Sequence, residues 1–323
     1  MFDLQLDRVV DWIRRNGYSS VAVQLPEGLR SKALDISDRV SSAGVSVTII
    51  GDTCYGACDI RKDNADALIH FGHSRIPSVD DGGNVLYVEA RYEGGLNGIG
   101  DLAEKLPKKV GIIATIQYVG LIPQMKTMLE AQGKKVKVSK GDGRIEYPGQ
   151  VLGCNCSSAE AISGNVDGFV FIGEGDFHPL AAAFGIKKDI WVFNPVTKET
   201  RKIDDIRDRI LRRRFAAIQS SSDAENFLII VSSKPGQRRD AAANAAADKI
   251  RNAGKKSYAV VMDDITPEKL SQYKVDAYVS TACPRIALDD SVRYAKPMLT
   301  VTELDIALGL RPWEEYAFDA IRP

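Results

Sequence analysis

Three times in its 323 residues the chain spells a short apolar strand, a loop, an amphipathic helix closed by glycine, and a second strand. The first strands are SVAVQL (20–25), KKVGIIAT (108–115) and NFLIIVS (226–232). Short, continuous, β-branched runs of this kind suit strands buried on both faces. The helices SKALDISDRVSSAG, IPQMKTMLEAQG and RDAAANAAADKIRNAG end at Gly44, Gly133 and Gly254. A left-handed helix end costs glycine least. The second strands are VSVTII, KKVKVS and KSYAVV. A third shared element follows: NADALIHFGHS (64–74), NVDGFVFIGEGD (165–176) and KVDAYVSTACPR (274–285), each an Asp and a small residue before an apolar strand. VLYVEA, IWVFNP and PMLTVT close the units.

Strand–helix–strand repeats imply parallel sheets with covered faces. The fold class is therefore α/β, with three homologous small parallel-sheet domains expected at residues 1–107, 108–222 and 223–323. The Arg-rich helix at 203–218 could side with either neighbour. Sites in open parallel sheets form beyond the carboxyl ends of the strands. A pseudo-threefold arrangement of such domains would aim their loops at one central site.

Three of the five cysteines occupy such loops: Cys58 in GDTCYGACD, Cys154 in GQVLGCNC and Cys283 in STACPR. With no export signal in the amphipathic N-terminus, a disulfide framework is not expected, and metal or redox chemistry is. Three converging thiolates would hold an iron–sulfur cluster and leave one iron without a protein ligand. Two alternatives stand beside this. Free cysteines are often small buried hydrophobes. Zinc on Cys54, Cys58, Cys154 and Cys156 would use irregular C-x3-C and C-x-C spacings and leave Cys283 idle. No C-x3-C-x2-C loop is present to build the usual S-adenosylmethionine radical site.

Charge adds exclusions. Lys+Arg and Asp+Glu both number 43, so no net field marks a nucleic-acid binder. The run Arg212, Arg213, Arg214 reads as a solvated helix face. No apolar run approaches the ~20 residues of a membrane span, and a cytosolic location is expected.

Four stretches, QLPEGL (24–29), CYGACDIRKDNADALIHFGHS (54–74), YPGQVLGCN (147–155) and TACPRIALDD (281–290), resemble in order and spacing the motifs of the archaeal diphthamide-synthesis family. The resemblance runs through all three units. It implies a homodimer of three-domain protomers and a [4Fe–4S] cluster on Cys58, Cys154 and Cys283. Cys54 and Cys156 lie outside that ligand pattern. The implied reaction moves a 3-amino-3-carboxypropyl group from S-adenosylmethionine to C2 of a histidine in translation elongation factor 2. The reduced cluster, fed by an electron donor, breaks the sulfonium bond on the amino-acid side, and 5′-methylthioadenosine leaves. A quinolinate synthase-like [4Fe–4S] dehydratase and an inactive scaffold subunit are the competing readings.

S-adenosylmethionine contacts are expected from loops after the first strands, where Gln24, Glu27, Gln117 and Tyr118 lie. Glu27 equally suits the first turn of a helix. Arg285 could grip a carboxylate bidentately or pair with Asp289 or Asp290. His73 suits the site or a backbone-bonded turn; His70 suits the strand itself; His178 occupies the equivalent loop of the second unit. The loop SKPGQRRD (233–240) lacks the phosphate-loop pattern but offers a basic contact. The tail LRPWEEYAFDAIRP (310–323) should pack on another domain or across a dimer.

Overall fold

A computed structural model describes residues 1–100 and 102–323. It contains three separate parallel sheets, each drawn from one continuous stretch of chain. The first has β1 (Ser20–Gln24), β2 (Ser46–Ile50), β3 (Ala67–Phe71) and β4 (Val85–Val88), in the order β2-β1-β3-β4. The second has β5 (Lys109–Ala114), β6 (Lys135–Lys137), β7 (Gly168–Ile172), β8 (Ile190–Phe193) and β9 (Thr200–Lys202), in the order β6-β5-β7-β8-β9. The third has β10 (Asn226–Ser232), β11 (Lys256–Met262), β12 (Ala277–Ser280) and β13 (Met298–Thr300), in the order β11-β10-β12-β13. The sequence repeat is thus a repeat of topology. Only β9, an added edge strand, runs antiparallel within these sheets.

In every sheet the first strand is interior and almost wholly buried. The helices cover these strands through the apolar stripes read from the sequence. Ile36 and Val40 of the Ala33–Ser41 helix pack on Val21 and Val23; Ala246 and Ile250 of the Asp240–Asn252 helix pack on Phe227 and Ile229. Full burial of one such aliphatic side chain contributes about 1.5–3 kcal/mol. Gly44, Gly133 and Gly254 all take left-handed φ, at 86°, 77° and 76°. The turn so made lets the Lys134 and Lys255 amides bond back to the carbonyls of Leu129 and Ile250.

The recurrent Asp before the third strand has a mechanical role. The Asp66 carboxylate accepts hydrogen bonds from the Ser19 and Ser20 amides at 3.0 and 2.9 Å, clamping the start of β1. Asp276 does the same for the Glu225 and Asn226 amides at the start of β10. In the second unit Asp167 uses its backbone amide instead, bonding to the Lys109 carbonyl.

The Asp204–Gln219 helix straddles the second and third units. Ile210 packs with the second sheet and Ile218 with the third. Its arginine run is not uniformly solvated. Arg212 and Arg213 are exposed, but Arg214 is fully buried. The helical turn aims Arg214 inward, where it forms a bidentate pair with Glu303 at 2.8 and 2.6 Å and bonds to the Ala287 carbonyl. Glu303 also closes a capping box with Thr300 and accepts from the Tyr316 hydroxyl. The C-terminal tail packs within its own chain. The Ile321 amide bonds to the Cys154 carbonyl at 2.9 Å, and Asp319 pairs with Arg239. Among the described residues no helix is long and apolar enough to cross a membrane.

Two predictions concern this framework. Arg214→Met or Glu303→Leu alone strands a buried charge and should cost about 3–5 kcal/mol in urea unfolding. The double variant should recover most of that loss. Second, the Ser19 and Ser20 hydrogen bonds pull Asp66 down from 3.8 to about 2. A carboxylate with a lowered native pKa stabilises the fold above its unfolded value, and the gain disappears as pH falls through the native value. The urea midpoint should therefore fall as pH drops from about 4 to 2, and less steeply in Asp66→Asn.

Candidate metal centre

Each cysteine loop is built by contacts its own sheet cannot supply. The Cys58 loop follows β2 and folds over the carboxyl end of β1, where Gln24 is 1% exposed. The Gln24 amide N–H donates to the Asp59 carbonyl at 2.7 Å, and its Oε1 accepts from the Arg61 amide at 3.3 Å. These two bonds fix the orientation of the amide. Oε1 also lies 2.9 Å from His70 Nδ1, so that nitrogen carries the proton. His70 Nε2 is then an acceptor, and His73 Nδ1, 3.0 Å away, donates to it. Burial keeps both imidazoles neutral, pushing His73 down to about 4 and His70 well below its ordinary value. His73 is left with a bare Nε2.

Cys54 stands beside this pair. Its sulfur and one nitrogen of each histidine lie within 4.8 Å of one another. Cys156 turns elsewhere, its thiol 3.4 Å from the Glu160 carboxylate. Cys54 and Cys156, two of the four cysteines of the zinc alternative, therefore have separate surroundings.

The loop after β10 closes over Cys58 from the third unit. Lys234, only 4% exposed, puts its ammonium 3.0 Å from buried Asp59 and 3.3 Å from Asp263. The Gly236 amide donates to the Cys58 carbonyl at 2.9 Å, and Gln237 Nε2 donates to the Cys58 thiol at 3.3 Å. The basic loop expected to meet an outside anion is thus committed inward, because carboxylates of the chain itself satisfy Lys234. Arg238 pairs with Asp240.

The Cys154 turn is shaped by close approach: a Cβ on Gly153 would overlap the Phe177 ring. Arg144, 3% exposed, reaches across with one guanidinium nitrogen 3.1 Å from the Gly236 carbonyl and 4.0 Å from the Cys154 thiol. Its Nε is buried without a partner, and among the described residues it makes no ion pair. Cys283 follows β12 and leads into the short Arg285–Leu288 helix.

These contacts bring Cys58, Cys154 and Cys283 within electrostatic reach of one another. Burial pushes Cys58 up to about 12, with the charge of Cys154 as the next cause. Burial, then Cys154 and Cys58, raise Cys283 well above its ordinary value. Cys154 is raised by burial and partly relieved by Arg144.

The remaining site candidates divide. Arg285 is exposed, bonds to Asp289 at 3.0 Å through Nε, and stacks over the Phe177 ring at 4.9 Å. It joins the ion pair without giving up its terminal nitrogens. His178, beside it, is pushed down to about 4 by burial, by Arg285 and by His73. Gln117 is half-buried and donates to the Gly72 carbonyl at 2.6 Å, beside the His73 turn. Glu27 is exposed in the first turn of the Glu27–Lys32 3-10 helix. Tyr118 is buried, donating to Glu174 at 2.7 Å. Gln24 holds the loop, with Nε2 on the Asp59 carbonyl and Oε1 shared by Arg61 and His70. Sequence reasoning missed Arg144, Asp59, Lys234 and Gln237. Asp59 directly follows Cys58, which was a signal; Arg144, between glycine-rich turns, offered none.

The donor set fits an iron–sulfur cluster. Three thiols lie within electrostatic reach of one another, and a buried guanidinium makes no ion pair among the described residues.

Comparison with known proteins agrees with this chemistry. The family described as "Putative diphthamide synthesis protein" matches residues 25–317. A 2-(3-amino-3-carboxypropyl)histidine synthase of Pyrococcus horikoshii is 37% identical, with 99% of this chain and 94% of that one covered. The synthase of the same name from Methanocaldococcus jannaschii is 28% identical over 100% of this chain and 94% of its own. The crystal structure of Dph2 from Pyrococcus horikoshii with a 4Fe-4S cluster superposes with a TM-score of 0.92 at 35% identity. It covers 100% of this chain and 95% of that one.

The seat of Cys58 yields a prediction. A Cβ on Gly236 would lie 2.5 Å from Cys58 Cα, a backbone atom that cannot swing away. Gly236→Ala should cost about 1–3 kcal/mol by overpacking. It should also lower iron bound per chain after reconstitution, whereas Gly254→Ala, at a helix end remote from the cysteines, should cost stability alone.

Proposed function

This chain belongs to the diphthamide synthesis family, and we propose that it transfers the 3-amino-3-carboxypropyl group of S-adenosylmethionine to C2 of a histidine in translation elongation factor 2. 5′-Methylthioadenosine is the co-product. The observation that carries the reading is the convergence of Cys58, Cys154 and Cys283, one from the loops of each sheet, close enough for their charges to act on one another. In this reading those three thiolates hold a [4Fe–4S] cluster, which supplies an iron lacking a protein ligand and the electron that cleaves the sulfonium C–S bond.

The chain's own residues have distinct tasks. Arg285 keeps its terminal guanidinium nitrogens free of Asp289 and can bind the substrate carboxylate there. The Phe177 ring under it limits its swing. His73 offers an unprotonated Nε2, fixed in that tautomer by His70 and Gln24, as an acceptor for the substrate ammonium. Gln117 ties the His73 turn to the second sheet through the Gly72 carbonyl. Holding both ends of the amino-acid arm decides which carbon of the sulfonium faces the iron, and hence which bond breaks. The working protein is a cytoplasmic homodimer served by an electron donor.

The test is anaerobic. Protein reconstituted with iron and sulfide, reduced with dithionite and given S-adenosylmethionine should release 5′-methylthioadenosine. With elongation factor 2 present, the target histidine should gain the aminocarboxypropyl mass. Cys58→Ala, Cys154→Ala or Cys283→Ala should each remove both products. Release of 5′-deoxyadenosine, or quinolinate formation from dehydratase substrates, would sink the proposal.

A further inference from the structure

We propose that Gln237 and Arg144 set how readily the cluster is reduced, by donating to two of its three ligand sulfurs, Gln237 from the third unit and Arg144 from an earlier turn of the Cys154 connection. The inference rests on the reading that Cys58, Cys154 and Cys283 hold the cluster. Gln237 is 3% exposed, and its loop is closed by its own amide bonding to the Lys234 carbonyl at 3.0 Å. That turn leaves the Gln237 side chain one partner, the Cys58 sulfur at 3.3 Å. Arg144 reaches the Cys154 sulfur at 4.0 Å while anchored to the Gly236 carbonyl at 3.1 Å. Gly236 adjoins Gln237, so the two donors share one support and move together.

Arg144 is the more telling of the two. A guanidinium that is 3% exposed, with Nε unpartnered, is costly to keep. Its surroundings make sense when an anionic group fills the space beside Cys154. Three thiolates sharing one iron–sulfur core form such a group. One-electron reduction adds a further negative charge to it. Donors aimed at the sulfurs stabilise the reduced form more than the oxidised form, and so raise the potential. The charged donor acts more strongly than the amide.

The test compares Arg144→Met and Gln237→Met with the unaltered chain, each reconstituted to full iron and sulfide. The readout is the midpoint potential from an EPR-monitored redox titration. Held at the unaltered protein's midpoint, Arg144→Met should show a reduced-to-oxidised ratio about tenfold lower, a negative shift of about 59 mV for one electron. Gln237→Met should shift in the same direction by less, and Arg144→Lys should fall between Arg144→Met and the unaltered chain. Midpoints equal to the unaltered value at full cluster content overturn the proposal and leave both residues as packing. Should the methionine variants fail to take up iron, Arg144→Lys and Gln237→Asn, which keep a donor but withdraw it, carry the same test. An unchanged midpoint in both then overturns it. Failure of the unaltered chain to bind iron and sulfide counts against the cluster reading instead.

Discussion

The buried ion pair between Lys234 and Asp59 is the contact on which the site's geometry depends. It joins residues 175 apart in sequence, from the loops of the third and first sheets. Asp59 directly follows Cys58, so fixing its carboxylate fixes the cysteine. Burial raises Asp59, and the bond from Lys234 opposes that rise and keeps the carboxylate useful as an anchor. Losing either partner would leave a charge in the interior at about 3–5 kcal/mol. Once the pair is made, Gly236 lies against the Cys58 backbone and Gln237 against its sulfur. Arg144 then ties Gly236 to the Cys154 turn, and the C-terminal tail ties that turn back to the third unit through Ile321. The contacts close a ring through all three units. No single sheet could hold the cysteines at their mutual spacing.

The parts of this that were legible in the sequence are the local ones. A strand buried on both faces, a helix with one apolar stripe and a glycine at a left-handed helix end each leave a signature within a few residues. Hence the three parallel sheets and the φ of Gly44, Gly133 and Gly254 follow from pattern, whereas the strand orders came only with the fold. The Asp before each third strand was visible too, although its clamp on the first strand shows only when the strands pair. The resemblance to a known family supplied the cysteine set. Spacing by itself left zinc open.

What escaped was non-local. Arg214 and its two neighbours are indistinguishable by composition, yet the helix's rotation of about 100° per residue separates a solvated face from a full partnership with Glu303. Lys234 lies in a loop that reads as basic and exposed, and only the fold brings Asp59 and Asp263 to it. Gln24 sits where a ligand contact is expected in an α/β sheet. Three neighbours bond to its amide, so it organises His70 and the Cys58 loop. Polar residues at strand ends can present a group or position one, and sequence does not distinguish these. The distinction is the number of polar atoms left over after the chain's own bonds are counted.

The same accounting explains the electrostatic character of the space the cysteines share. His70, His73 and His178 are all held neutral by burial, which also favours the protonated thiols of Cys58, Cys154 and Cys283. In the proposed reading iron would take the place of the thiol protons, so that cluster assembly and proton release would be one event. Arg144 is buried beside Cys154 and makes no ion pair among the described residues. A site so composed disfavours isolated charge. In the proposed reading an anionic cluster would complete the ion pair that Arg144 leaves half-made.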